Sequence, residues 1–231
     1  MHPSPLADSL DPRLRPSTEL ADARAVISAC PTEDPEVGAY RDRMLRFLDT
    51  HPDALHRSCA EGHLTGSALV LDAASKRILV LFHRKVRRWL QPGGHADGDA
   101  NLAAVALREA TEETGIDQMV VDVVPIDLDV HRFRSANEPD HDHLDVRFLV
   151  LAPPGAVPVA NHESEGLQWV TLDRLGEIGV DPGTVRMARA GLARLQVVTG
   201  RLQVVGSDVA GGHAPLHLVD PGEAVDGGGD V

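Results

Sequence analysis

Glu109, Glu112 and Glu113 stand at i, i+3 and i+4 within Arg108-Glu109-Ala110-Thr111-Glu112-Glu113-Thr114-Gly115-Ile116. On a helix this spacing puts three carboxylates on one face. The segment 101–114 has the pattern of such a helix. Leu102, Ala103, Ala106, Leu107 and Ala110 form an apolar stripe, and Gly115 is a stop signal. The glutamate face borders the stripe, so three negative charges converge beside the core in the last turns. Like charges at this spacing repel by a few tenths of a kcal/mol, and the helix C-terminus adds ~0.3–1 kcal/mol for a nearby anion. A hard divalent cation removes both penalties and gains oxygen ligands. The competing reading is a solvated acidic face with Arg108 as a surface partner. For the three glutamates alone, the two readings stand level.

The loop ahead of the helix tips the balance. It reads Gly93-Gly94-His95-Ala96-Asp97-Gly98-Asp99-Ala100. Loop and helix together resemble the Nudix box, G-x5-E-x7-R-E-U-x-E-E-x-G-U with U aliphatic. The matches are Gly94, Arg108, Glu109, Ala110, Glu112, Glu113, Gly115 and Ile116. One position departs. The early box glutamate falls on Ala100, Asp99 lies one residue before it, and Gly98 sits one place earlier than usual. Three further segments look like a bacterial subfamily of the same family. They are Gly62-His63-Leu64-Thr65-Gly66-Ser67-Ala68, Trp89-Leu90-Gln91-Pro92-Gly93-Gly94-His95, and Glu138-Pro139-x-His141-x-His143-x-Asp145-x-Arg147-Phe148. The resemblance spans about 62–180.

The resemblance implies a metal-dependent hydrolase that cuts a diphosphate linkage in a nucleoside diphosphate-X or related small molecule. It implies an α/β (α+β) fold with a mixed β-sheet sandwiched by helices. Carried over residue by residue, Glu109, Glu112, Glu113 and the backbone carbonyl of Gly93 hold Mg²⁺ or Mn²⁺, with Glu112 or Glu109 as general base. The cation would neutralise phosphate charge and lower the pKa of an attacking water. Gly94, Asp99, Arg108 and Gly115 become structural members of the box. In the family the missing glutamate pairs with the box arginine. The expectation here is that Asp99, or failing that Asp97, takes over as partner of Arg108. The competing role for Asp99 is to cap the helix.

Two other groups invite a substrate role. Arg84-Lys85-Val86-Arg87-Arg88 is a basic run in a chain of net charge −13. Arg84 and Arg88 are candidate phosphate contacts, and a solvated hairpin edge is the equal alternative. His141, His143, Asp145 and Arg147 alternate with apolar residues and share one face of a strand. His-x-His can bind zinc, but no third and fourth ligands stand at a recognisable spacing. Substrate contact or plain hydrogen bonding is the preferred reading, with His95 and His143 as the candidate substrate contacts. Trp169 and Cys59 read as buried residues.

The elements that must position these groups follow from periodicity. A helix is expected over 17–30 with Ser17 as N-cap, and a second over 36–50 with Tyr40, Met44 and Leu48 on one face. Strands are expected at 67–71 and 77–82, joined as a hairpin, and near 120–124, 127–133, 144–151 and 167–171. Helices are expected at 172–178 and 182–198. The division is an N-terminal helical extension at 1–61, a Nudix-like domain at 62–198, and a largely disordered tail at 199–231. Residues 1–16, rich in proline and polar groups, are expected to be extended or disordered.

Composition bounds the function. Apolar residues make up 42% and aromatics 3%, so Val, Leu, Ile and Ala must fill the core. No apolar run approaches the ~20 residues that span a bilayer, and Met1-His2-Pro3-Ser4-Pro5 lacks the basic and apolar blocks expected of a secretory signal. Two cysteines and no CxxC pair point to a reduced, cytoplasmic setting. The acidic balance argues against nucleic acid and anionic membrane as partners. A small-molecule diphosphate is the expected partner, and a homodimer is left open. The resemblance implies that an isomerase of this fold would need a cysteine near Gln91–His95, and none is there. The remaining alternative is a non-catalytic Nudix-fold ligand sensor or protein-binding module.

Overall fold

The computed structural model describes residues 4–31, 33–134, 139–162 and 164–207. Glu138 of the third motif and the tail beyond 207 lie outside the described residues, as does the expectation that 221–231 stay off the core.

The sheet grows from its longest apolar segments. β2 (Gly62–Asp72) and β8 (His141–Ala152) run parallel, in unbroken register from Gly62↔Asp142 to Asp72↔Ala152. The hairpin to β3 (Arg77–His83) forms as the sequence suggests. Asp72 Oδ1 accepts the N–H of Ala74 at 3.0 Å and of Ser75 at 3.3 Å, and this turns the chain. β4 (Arg88–Leu90) and β9 (Ser164–Val170) pair with β3, and β5 (Gly93–His95) pairs antiparallel with β2. β6 (Val120–Asp122) and β7 (Asp127–Phe133) pair with β8. The result is one mixed sheet.

Side chains alternate across it. On β2, Ala68 and Val70 enter one apolar cluster, while Leu69 and Leu71 enter another. The first cluster is closed by α1 (Leu20–Ala29), α2 (Pro35–Thr50) and α3 (Leu102–Thr114) through Ile27, Met44 and Ala106. The second is closed by α4 (Leu172–Glu177) and α5 (Pro182–Ser207) through Leu175, Met187 and Ala188. Helices thus sandwich the sheet. α5 runs past Val198, where the apolar pattern was expected to end; no proline follows before Pro215 to stop it.

The N-terminal segment departs most from expectation. Leu6–Ala7 forms a short strand, β1, paired with β6, and Pro12–Leu14 form a 3₁₀ turn with Leu14 buried. Ser17 does not cap α1, whose N-cap position is Glu19. Instead its backbone clips to the loop ahead of α3. Asp99 Oδ1 accepts the Ser17 N–H at 3.0 Å, and the Ala100 N–H donates to the Ser17 carbonyl at 2.6 Å. Asn101 Nδ2 donates to the carbonyls of Arg13 (2.8 Å) and Arg15 (3.0 Å). The segment is ordered because its backbone and that of the box loop satisfy each other's polar groups.

Candidate active site

The site begins with β5, a loop, and α3. Asn101 caps α3, accepting the Ala104 N–H at 3.2 Å through its side chain. Gly115 ends the helix at φ +63°, a left-handed position that glycine tolerates. α3 lies across β2 and β5, which brings its last turns against the Gly93-Gly94 backbone.

The carboxylates differ in setting. Glu113 is buried, and its Oε2 accepts the Gly93 N–H at 2.9 Å. Glu109 is half-buried and lies flat against Gly94, where a Cβ would come within 2.7 Å of its Oε1. Only glycine lets the carboxylate approach this closely. Glu112 is exposed on the same helix face. The donor set is all carboxylate oxygen beside backbone carbonyls, which suits a hard cation such as Mg²⁺ or Mn²⁺. The residues present therefore fit the metal that the motif implies. Their carboxylates are not drawn into a tight group: among the described residues, the three ligand atoms that fall within 4.8 Å of one another belong to His63, His95 and His143.

The expected partner of Arg108 is corrected. Among the described residues neither Asp99 nor Asp97 makes a hydrogen bond or ion pair with it, although the Arg108 charge is felt at Asp97. Arg108 Nη2 donates to Glu109 Oε1 at 2.9 Å and to the His95 carbonyl at 3.4 Å. Asp97 makes a two-pronged pair with Arg57, both contacts at 2.7 Å, and this holds its carboxyl below the usual range. Asp99 serves the backbone N–H groups of Ser17 and Asn101. The premise was that Arg108 is buried. Its side chain is 40% exposed, so no burial penalty demands a second acceptor. Ala100 is fully buried under the N-terminal segment, in the place the family gives to glutamate.

Arg84 and Arg88 lie at the exposed tip between β3 and β4, and the structure does not bring them to the glutamates by any hydrogen bond or ion pair among the described residues. Arg87 of the same run pairs with Glu165 and stacks on Phe82, its guanidinium 4.9 Å from the ring centroid. Trp169 is half-buried against the core, and Cys59 is buried with burial pushing its thiol pKa up.

On the face of the sheet turned toward α4 and α5, polar side chains form ordered rows. Ser67, Arg147 and Asp127 share one row, Thr65, Asp145 and Asp129 the next, and His63, His143 and His131 the third. Arg147 is buried and bonds Asp127 (3.0 Å), Asp129 (3.1 Å) and Asp145 (2.8 Å). Asp145 Oδ1 also accepts from Thr65 and Ser67, each at 2.8 Å. Arg186 of α5 reaches Asp127 and Asp129, both at 3.0 Å. His95 stands opposite Thr65 and joins the histidine end. His95 and His143 were expected as substrate contacts; the structure groups them with His63. His63 was missed as a site residue. Its only signal was its place in the second-strand motif, and its partner is fixed by the parallel pairing His63↔His143.

The family model for the NUDIX domain matches residues 63–190, and the chain belongs to that family. Among solved structures, it is similar to an Ap4A hydrolase of C. elegans in a binary complex, at 17% identity and TM-score 0.48 over 58% of this chain and 98% of that one. It is also similar to the NUDIX domain of Shewanella oneidensis NrtR complexed with ADP ribose, at 15% identity and TM-score 0.49 over 65% and 97% of the two chains. The dihydroneopterin triphosphate pyrophosphohydrolase of E. coli aligns at 15% identity and TM-score 0.46 over 54% and 91%. Likenesses this distant identify neither substrate nor reaction. No curated protein matches the chain. Among the described residues, no helix is long and apolar enough to cross a membrane.

Proposed function

We propose that this chain hydrolyses a diphosphate linkage in a nucleoside diphosphate-X or related small molecule, with Mg²⁺ or Mn²⁺ held by Glu109, Glu112, Glu113 and the Gly93 carbonyl. The observation that carries the reading is the placement of Glu109 and Glu113 against the Gly93-Gly94 backbone, with Glu112 exposed beside them. When bound, the cation supplies charge neutralisation and Lewis acidity at the diphosphate. Glu112, exposed on the metal-facing side of the helix, is placed to take a proton from water. Glu109 is braced by Arg108 and is better suited to hold the metal than to exchange protons. Gly94 keeps the floor of the site flat enough for the Glu109 carboxylate to seat.

The catalytic domain in this proposal is 62–198, with 1–61 as a docked extension and 199–231 as a tail. The three sequence motifs support membership of their bacterial subfamily. The net charge of −13 favours a small-molecule partner over nucleic acid or membrane surface. Cys30 and Cys59, both free and buried, favour a reducing, cytoplasmic setting.

The test is a panel of nucleotide sugars, dinucleoside polyphosphates and other diphosphates, assayed with Mg²⁺ or Mn²⁺ and after chelation. Turnover should require the cation. Glu112→Gln should lower kcat by about 10²–10⁴-fold, the range of general-base catalysis, with the melting temperature unchanged. A panel without metal-dependent turnover would leave the ligand-sensor alternative standing.

A further inference from the structure

His63, His95 and His143 come from β2, β5 and β8. Their candidate ligand nitrogens all lie within 4.8 Å of one another. The ring centroids are 4.8 Å apart for His63–His95, 5.2 Å for His63–His143 and 5.1 Å for His95–His143. His63 is 3% exposed, and neither of its ring nitrogens has a hydrogen-bond partner. The Cys59 backbone lies near it without reaching hydrogen-bonding geometry. A buried polar group left without a partner costs about 1–3 kcal/mol. Such a group calls for an explanation: among the described residues the one other buried side-chain polar atom without a partner is Ser164 Oγ.

We propose that His63, His95 and His143 form a second metal site, which takes a borderline-soft divalent transition ion, with zinc as the reference ion. Three imidazole nitrogens with one open position is an established zinc geometry. A tetrahedral site with Zn–N of ~2.0–2.1 Å needs nitrogens about 3.3 Å apart, so small side-chain rotations close the present spacing. Neutral nitrogen donors select a different ion from the carboxylate cluster.

Two further observations support the site. His63 and His143 point to the face of the sheet that carries α4 and α5, whereas the glutamates arrive from α3 on the other face, so the two ligand sets are distinct. His143 is braced from behind. His141 Nδ1 donates to the Pro139 carbonyl at 2.8 Å, and its Nε2 lies 3.2 Å from His143 Nε2. That contact fixes the orientation of the His143 ring, which is what outer-shell partners do behind metal-bound histidine. His95 and His143 are only half-buried, so the open position lies toward solvent, where water or an anion can bind.

The experiment uses the full chain, stripped with chelator and titrated with Co²⁺ under saturating Mg²⁺. One equivalent should bind with visible d–d bands of a nitrogen-rich site, and Zn²⁺ should displace it. His63→Ala and His143→Ala should abolish the bands. They should weaken binding by at least ~100-fold, the upper end of what outer-shell changes alone achieve. Glu112→Gln should leave the bands intact, which separates this site from the carboxylate cluster. Circular dichroism checks that each variant folds, and His95→Gln replaces any that does not. The proposal is overturned if no stoichiometric Co²⁺ site forms, or if binding survives His63→Ala and His143→Ala but is lost in Glu112→Gln.

Discussion

Arg147 and His63 lie on one face of neighbouring strands, two pleats apart, yet their surroundings are opposite. Around Arg147 every charge is answered: three carboxylates surround it, two hydroxyls hold Asp145, and Arg186 closes the row from α5. Around His63 the rings of His95, His141 and His143 gather, but its own nitrogens have no partner. The strands, the register and the burial are shared. What differs is whether the polar groups complete one another. A completed network belongs to the scaffold, and an incomplete one at the same depth is shaped for something from outside.

The largest effect should come from breaking the completed end. Arg147→Met leaves Asp127, Asp129 and Asp145 buried with their main counter-charge gone. Breaking a buried ion pair in this way costs about 3–5 kcal/mol, read from urea unfolding near pH 7. A loss below ~1 kcal/mol would mean that the network relaxes around the gap and is not the scaffold it resembles.

A smaller effect follows from protons. Burial alone would raise the pKa of Asp129, but His131, Arg147 and Arg186 outweigh it and hold the carboxyl well below its ordinary value. A carboxylate depressed in the folded state contributes stability above its unfolded pKa of ~3.9 and loses that contribution as pH falls through the folded value. The stability gap between the wild type and Asp129→Asn should therefore be full at pH 6 and narrow steadily below pH 4. A gap constant down to pH 2 would remove Asp129 from the charge network.

The smallest effect belongs to the incomplete end. With metal chelated, His63→Leu replaces an unpartnered buried ring with an apolar group of similar reach. Thermal unfolding should find the variant within ~1 kcal/mol of the wild type or above it, because no made hydrogen bond is lost. A drop of several kcal/mol would show that His63 packs or bonds in a way that matters without any ion, and the contrast with Arg147 would dissolve.

The two sites were unequally legible. Glu109, Glu112 and Glu113 sit within one turn of helix, so spacing alone put them on one face, and Gly115 marked the end. Local periodicity likewise placed β3, β7, α2 and α4 to within a few residues. The short strands were not legible. Leu6–Ala7 is too brief for any period, and Gly93–His95 reads as a break because glycine carries no side-chain pattern. The partner of Arg108 was misjudged because sequence gives no burial: Asp99 faces Ser17, 82 residues away, and Arg108 faces solvent.

By itself, the sequence determined the acidic helix, its glycine loop and the family they mark, because those groups interact within a few residues of one another. Tertiary structure alone decided the histidine cluster. His63 and His143 are 80 residues apart and meet only because β2 and β8 pair in parallel, and His95 joins them only because β5 folds back onto β2. A parallel pairing needs a long crossover and leaves no local signature. Its register, set by two apolar faces packed between two layers of helices, is what turns three scattered histidines into neighbours.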